Sequence, residues 1–271
     1  MRPFAYHQPG QVPDAVKLLS SVPDSKLVAG GMTLIPTIKQ RLASPAALID
    51  LSKLPNLKGI ADDGATVTIG AMTSHAEVAA SSLVRSRIPA LAELASMIGD
   101  PSVRNRGTIG GSVANNDPAA DYPAGVLGLA ATIITSEREI AADGFFLGLF
   151  ETALKPGEII TAVRFPVPLS AGYAKFKAPA SRYALVGVFV AKFPEGVRVA
   201  VAGAGPGVFR VPPMELALGH NFDPSAIAAI KIDTDGLTSD IHAEADYRAH
   251  LVTVMAKRAV HAALSERRDS L

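Results

Sequence analysis

The sequence predicts an α+β chain of two domains, on three observations. A strand, helix, strand order between Lys26 and Leu51 forms one βαβ unit, and strands and helices then mix without regular alternation up to Phe165. A proline-rich break from Pro166 to Pro168 separates these from a further run of apolar strands and a long terminal helix. The expected division is therefore 1–168, with subdomains of about 1–53 and 54–168, followed by 169–271.

Each element has a local reason. Val16, Leu18 and Leu19 after Pro13-Asp14 suggest a short amphipathic helix, closed by a turn at Pro23-Asp24. Lys26 to Ala29 reads as a buried strand broken by Gly30-Gly31. Leu34, Ile38 and Leu42 give Thr33 to Leu42 helical spacing, with Pro36 tolerable only in the first turn. Ala47 to Leu51 is the second strand, and the crossover makes the pair parallel. Thr66 to Ala71 follows as a strand, His75 to Ala80 and Ile88 to Ile98 as helices. Gly99 to Pro123 is expected to be a long loop, and its length argues for function. A helix through Leu127 and strands at Thr132 to Thr135 and Glu158 to Phe165 complete the first domain. Beyond Tyr173, Ala184 to Phe193 is apolar throughout and reads as a strand or a buried helix, and Val197 to Ala202 as a strand. Tyr247, Leu251, Val254 and Met255 share one helical face between Ala243 and Glu266, with Lys257 and Arg258 toward its end.

Composition narrows the chemistry. The 271 residues are 48% hydrophobic, and 26 Lys+Arg against 25 Asp+Glu leave a net charge of +1, so no global field draws the chain to nucleic acid or an acidic membrane. With no cysteine, disulfides, thiolate nucleophiles and Cys-ligated metal centres are excluded within the chain. No apolar run reaches membrane-spanning length, and Met1 to Gly10 does not read as a signal peptide. A cytoplasmic location is the expectation.

Two glycine-bearing stretches carry the binding argument. In Val28-Ala29-Gly30-Gly31-Met32-Thr33-Leu34 the glycines stand between strand and helix, where backbone N–H groups can approach an anion. An ordinary tight turn is the alternative. The second stretch, from Arg104 through Gly107-Thr108-Ile109-Gly110-Gly111-Ser112 to Asp121, gathers three glycines, two hydroxyls and a later carboxylate into what reads as one loop, with N–H groups able to form an anion nest. One turn from each subdomain could clamp the diphosphate of a dinucleotide with neutral donors. Neither stretch is a Walker A motif, and Gly30-Gly31 fails the Rossmann fingerprint; Asp50 is read as a strand-end carboxylate. His242, Asp246 and His250 recur at four-residue spacing, a possible metal set more simply read as a solvated helix face. His7, His75, His220 and His261 read as structural, and Gly203 to Gly207 as a turn. Arg104 and Arg106 suit either phosphate or a partner.

Three patterns together resemble the FAD-binding medium subunit of the molybdenum hydroxylases, the group that includes aerobic carbon monoxide dehydrogenase and xanthine dehydrogenase. They are Ala29-Gly30-Gly31-Met32-Thr33-Leu34-Ile35-Pro36, Arg104-Asn105-Arg106-Gly107-Thr108-Ile109-Gly110-Gly111-Ser112, and Asp117-Pro118-Ala119-Ala120-Asp121-Tyr122-Pro123. Asp246-Tyr247-Arg248-Ala249-His250-Leu251 resembles the family's ending. The resemblance implies a two-lobed FAD-binding domain of the PCMH (vanillyl-alcohol oxidase-like) type with a smaller C-terminal α+β domain. It implies that Lys26, Leu27 and Val28 through Leu34 wrap the diphosphate and part of the flavin, that Gly107 to Ser112 supply opposing N–H donors with Ala114 also at the cofactor, and that Asp121 meets the adenosine ribose. Ile160 would line the flavin pocket, and Lys175 or Lys177 would approach the ring system. No catalytic acid, base or nucleophile, and no metal ligand, is expected of the chain.

The same resemblance implies a large molybdopterin-binding subunit and a small 2Fe-2S subunit as partners, in a dimer of heterotrimers. Electrons would pass from the clusters through FAD to an external acceptor, with carbon monoxide dehydrogenase as the expected kind. The complex is expected in the cytoplasm, with peripheral attachment to the inner membrane left open. Met32 departs from the commonest carbon monoxide dehydrogenase form, which carries histidine there. A self-sufficient flavoprotein oxidase or dehydrogenase, a xanthine or N-heterocycle dehydrogenase subunit, and a non-catalytic flavin-binding scaffold are the alternatives.

Overall fold

The structure, a computed structural model, describes residues 2–266. It opens with β1 (Ala5–His7), α1 (Val12–Ser21), β2 (Ser25–Val28), α2 (Leu34–Lys39) and β3 (Ala47–Asp50). The strands form a parallel sheet in the order β1-β3-β2, with Val28 level with Asp50. The expected βαβ unit is present, and β1, too short to show a sequence pattern, adds to its far side. The helix expected to reach Leu42 stops at Lys39, and Arg41, at a φ of 64°, turns the chain away. Asp50 is a strand-end cap: it accepts from the N–H and hydroxyl of Ser52 and from Gln8 and Tyr6.

The second lobe begins with β4 (Ile60–Asp62) and β5 (Thr66–Gly70), then α3 (His75–Ala80), α4 (Ser82–Arg87) and α5 (Pro89–Ser96). Ser74 and Glu77 cap α3 reciprocally, which fixes where it starts. The stretch expected as one long loop instead contains two helices, α6 (Pro101–Arg106) and α7 (Ile109–Asn115), before α8 (Tyr122–Gly128). Asp100 caps α6 with Pro101 at its first position, and Thr108 caps α7 through its hydroxyl oxygen, 3.1 Å from Gly111 N. These caps overrode the glycine and asparagine content on which the loop expectation rested. Then follow β6 (Thr132–Thr135), β7 (Glu139–Ala141), the hairpin of β8 (Phe146–Gly148) and β9 (Glu151–Thr152), and β10 (Ile160–Pro166). The main sheet has the order β4-β5-β10-β6-β7, with its neighbours antiparallel.

Past Pro166–Pro168 comes a four-stranded antiparallel sheet of β11 (Ser170–Lys177), β12 (Ala184–Phe193), β13 (Gly196–Ala202) and β14 (Phe209–Arg210), with helices α9 (Pro212–His220) and α10 (Ala245–Glu266). Ala184 to Phe193 is apolar throughout because both faces of β12 are covered. Phe189 and Ala191 join the core of the second lobe, while Val186, Val188 and Val190 pack with Val252, Met255 and Ala259 of α10. Gly172 lets α10 lie against β11, since a Cβ there would come within 2.0 Å of the Ala259 carbonyl. Buried Arg248 donates to the carbonyls of Leu185 and Gly203, each at 2.8 Å, which fixes α10 to the sheet. His242 precedes α10, so it shares no helix face with Asp246 and His250. No helix among the described residues is long and apolar enough to cross a membrane.

Candidate functional site

Where the lobes and the C-terminal sheet meet, the two glycine stretches touch. A Cβ on Gly30 would stand 2.0 Å from the Arg106 carbonyl oxygen and 2.8 Å from Gly107 Cα, so only glycine permits this approach. Gly31 follows at a φ of +73°, which carries the chain from β2 into α2. The contact opens a cavity of about 690 Å³, within the roughly 300–1,000 Å³ typical of ligand sites.

All of Lys26 to Leu34 line it, as do Gly107, Thr108, Gly110, Gly111, Ser112, Ala114, Asp121, Ile160 and Lys175. Two expected residues do not. Ile109 is fully buried in the core below, because the first position of α7, just after the Thr108 cap, points inward. Lys177 is exposed past an irregularity between Phe176 and Lys177 that shifts its register, which leaves Lys175 as the inward lysine. Met32 lines the cavity and is exposed.

The donors are arranged less symmetrically than expected. In the first turn the N–H groups of Gly30, Gly31, Met32 and Thr33 make no backbone hydrogen bond among the described residues, and they stand ready for an anion. In the second, Gly107, Ile109, Gly110 and Ser112 already donate to the carbonyls of Val103, Thr73, Ala71 and Thr108, and Gly111 donates to the Thr108 hydroxyl. Here the glycines serve packing: a Cβ on Gly110 would come within 2.5 Å of Ala71. What this turn offers a ligand is the Thr108 and Ser112 hydroxyl protons, not an amide nest.

Asp121 lies deep in the wall. One carboxylate oxygen accepts from the Tyr173 hydroxyl at 2.5 Å, and the other from Lys175 Nζ at 2.9 Å. Lys175 also donates to the Met97 carbonyl at 3.2 Å, and its side chain is wholly enclosed. Burial pushes the Asp121 carboxyl up from its ordinary value against the pull of Lys175 and Tyr173. Because Asp121 and Lys175 touch, they face one segment of any bound ligand.

The cavity also includes residues that the sequence did not mark: His75 at the start of α3, Ile98 to Asp100, and Ala180 to Tyr183 in the turn between β11 and β12. By sequence alone His75 reads as one of several scattered, structural histidines. Its only sequence signal was its place just inside the Ser74 and Glu77 capping box. The donor set suits a neutral-walled dinucleotide site: unpaired main-chain amides for a diphosphate, hydroxyls beside them, and an enclosed carboxylate-lysine pair further in.

Comparison with known proteins agrees. The family described as FAD binding domain in molybdopterin dehydrogenase matches residues 2–168. The carbon monoxide dehydrogenase medium chain of Hydrogenophaga pseudoflava is 37% identical over 279 aligned residues, covering 96% of each chain. The nicotine 6-hydroxylase medium subunit of Paenarthrobacter nicotinovorans is also 37% identical, covering 94% of this chain and 95% of that one. A solved carbon monoxide dehydrogenase from Hydrogenophaga pseudoflava superposes with a TM-score of 0.87 at 37% identity, over 98% of this chain and 99% of that one. With the two turns in contact and the likeness running through the C-terminal sheet, the chain belongs to the FAD-binding subunits of the molybdenum hydroxylases, as an oxidoreductase component.

Proposed function

We propose that this chain holds FAD between an iron-sulfur partner and an external electron acceptor, in a complex whose molybdenum subunit oxidises the substrate. When bound, FAD supplies the redox chemistry, taking electrons from the clusters and releasing them to the acceptor. The chain's own residues bind and orient. Gly30 to Thr33 present amides to the diphosphate, with Thr108 and Ser112 adding hydroxyls from the opposite side. Asp121 and Lys175, paired, face the same inner segment, which we assign to the flavin half because Tyr173 and the Met97 carbonyl close this wall from solvent. Ile160, nearly buried at the start of β10, gives an apolar surface for a ring.

The observation that carries this reading is the direct contact of the two glycine turns around uncommitted amides. The substrate lies with the partner: relatives of equal identity are named for carbon monoxide and for nicotine, while the binding elements here serve a shared cofactor. A carbon monoxide dehydrogenase-like assembly with large molybdopterin-binding and small 2Fe-2S subunits, as a dimer of heterotrimers in the cytoplasm, is the arrangement we favour. The test is reconstitution of the purified chain with FAD, followed by addition of substrate-reduced partner subunits. FAD should bind one per chain and bleach only when the iron-sulfur partner is present. A chain that takes up no FAD, or whose FAD is reduced by substrate without partners, would overturn it.

A further inference from the structure

One wall of the cavity is closed by a side chain that neither glycine stretch contains. His75 is 5% exposed, and its backbone N–H donates to the Gly107 carbonyl at 3.0 Å. Its Nε2 and Cδ2 edge lies against the second turn: a Cβ on Gly107 would fall 2.5 Å from Nε2 and 2.8 Å from Cδ2. The other ring nitrogen, Nδ1, is enclosed and has no hydrogen-bond partner among the described residues. On its far side the ring meets that of Tyr122, with centroids 5.3 Å apart, and Tyr122 follows Asp121 directly in the chain. The imidazole therefore lies at the cavity edge beside the second glycine turn, with the core ring of Tyr122 against it.

The ring lines the cavity, and its Nε2, beside Gly107, is not enclosed without a partner as Nδ1 is. We propose that His75 is a cofactor-contact residue, offering its Nε2 edge as an uncharged hydrogen-bonding group to a hydroxyl of the ribityl chain that joins the diphosphate of FAD to its ring system. The proposal rests on the FAD reading above. Position supports it, since the ring lines the cavity beside Gly107, next to the Thr108 and Ser112 hydroxyls that would face the diphosphate. Chemistry supports it too. Burial, with the nearby Arg104 charge, pushes the imidazole down to about 4, so it stays neutral, with one donor and one acceptor. A hydroxyl matches either tautomer, whereas phosphate oxygens only accept and favour charged donors.

The test uses the full-length chain freed of flavin, titrated with FAD and with FAD analogues lacking one ribityl hydroxyl at a time, followed by flavin fluorescence. His75→Met should weaken FAD binding roughly tenfold, the scale of one uncharged hydrogen bond, and His75→Gln, whose amide reaches the Nε2 position, should stay within about threefold of wild type. For wild type, one analogue should bind about tenfold more weakly than FAD, and that difference should vanish in His75→Met, a coupling that general loosening of the fold would not produce. Unchanged FAD affinity in His75→Met, or penalties for every analogue that simply add to the mutation, would overturn the proposal. If His75→Met does not fold, the wild-type series decides: analogues that all bind like FAD also overturn it. Wild type failing to bind FAD sinks the cofactor reading itself, whereas wild-type binding with an indifferent His75 sinks only this inference.

Discussion

His75 is the residue whose environment departs furthest from what its sequence position suggested. Free in an unfolded chain, its imidazole takes a proton near 6.5, but in the fold burial and Arg104 delay this to about 4. Between those values the unfolded chain binds more protons, so stability present above the upper value is lost as pH falls toward the lower one. Roughly 3 kcal/mol is the full span of this single group. Urea unfolding at about pH 7 and about pH 4.5 should show a smaller loss in His75→Met than in wild type, by about 2 kcal/mol. Equal losses in both proteins would mean that the imidazole is not held neutral. Nothing in the local sequence announces this: a histidine after Ser74 reads as an ordinary helix start, and its burial arises from Gly107 and Tyr122, distant in the chain. Asp121 shows the same limit in reverse. It stood out in the sequence as the carboxylate after a glycine stretch, yet its partners Tyr173 and Lys175 lie more than fifty residues on.

Among elements, the two glycine turns carry the site and differ in how they were legible. Gly30-Gly31 between a strand and a helix was readable because the punctuation is local: the strand ends, φ becomes positive at Gly31, and the helix begins. The second stretch was located correctly but given the wrong backbone, since caps at Asp100 and Thr108 make helices of a segment whose composition says loop. The consequence is testable at the contact between the elements. Gly30→Ala should force the turns apart, because its Cβ meets backbone with no flexible side chain to yield. FAD affinity should fall by about a hundredfold or more, an overpacking cost on the order of 3 kcal/mol. Gly219→Ala, in α9 with nothing within 4 Å of the added methyl, serves as the control and should bind FAD as wild type does. Equal affinities in the two variants would show that the close approach is not needed for binding.

At the scale of the molecule, the C-terminal sheet completes the cavity and shares its core. Tyr173, Phe189 and Ala200 pack with Leu91 and Val126 of the second lobe, so the division we propose near residue 168 is one of topology and not of independent cores. The Asp121–Lys175 pair crosses that division, as do the hydrogen bonds from Ala184 N to Ala119 O and from Gly203 N to Pro118 O. Removing one member of an enclosed ion pair leaves the other uncompensated, so Lys175→Met should cost about 3 kcal/mol in flavin-free unfolding. Adding Asp121→Asn to it should recover at least about 1 kcal/mol, and strictly additive losses would show the pair to be uncoupled. The sequence by itself determined the βαβ opening, the terminal helix, the glycine break after the strand and the family, because each depends on local punctuation or on motifs read along the chain. Only the tertiary structure decided which lysine faces inward, that Ile109 belongs to the core, which turn keeps its amides free, and that His75 stands at the cavity. Those outcomes depend on register and on contacts between segments far apart in sequence, where the same residue types can face a ligand or the core.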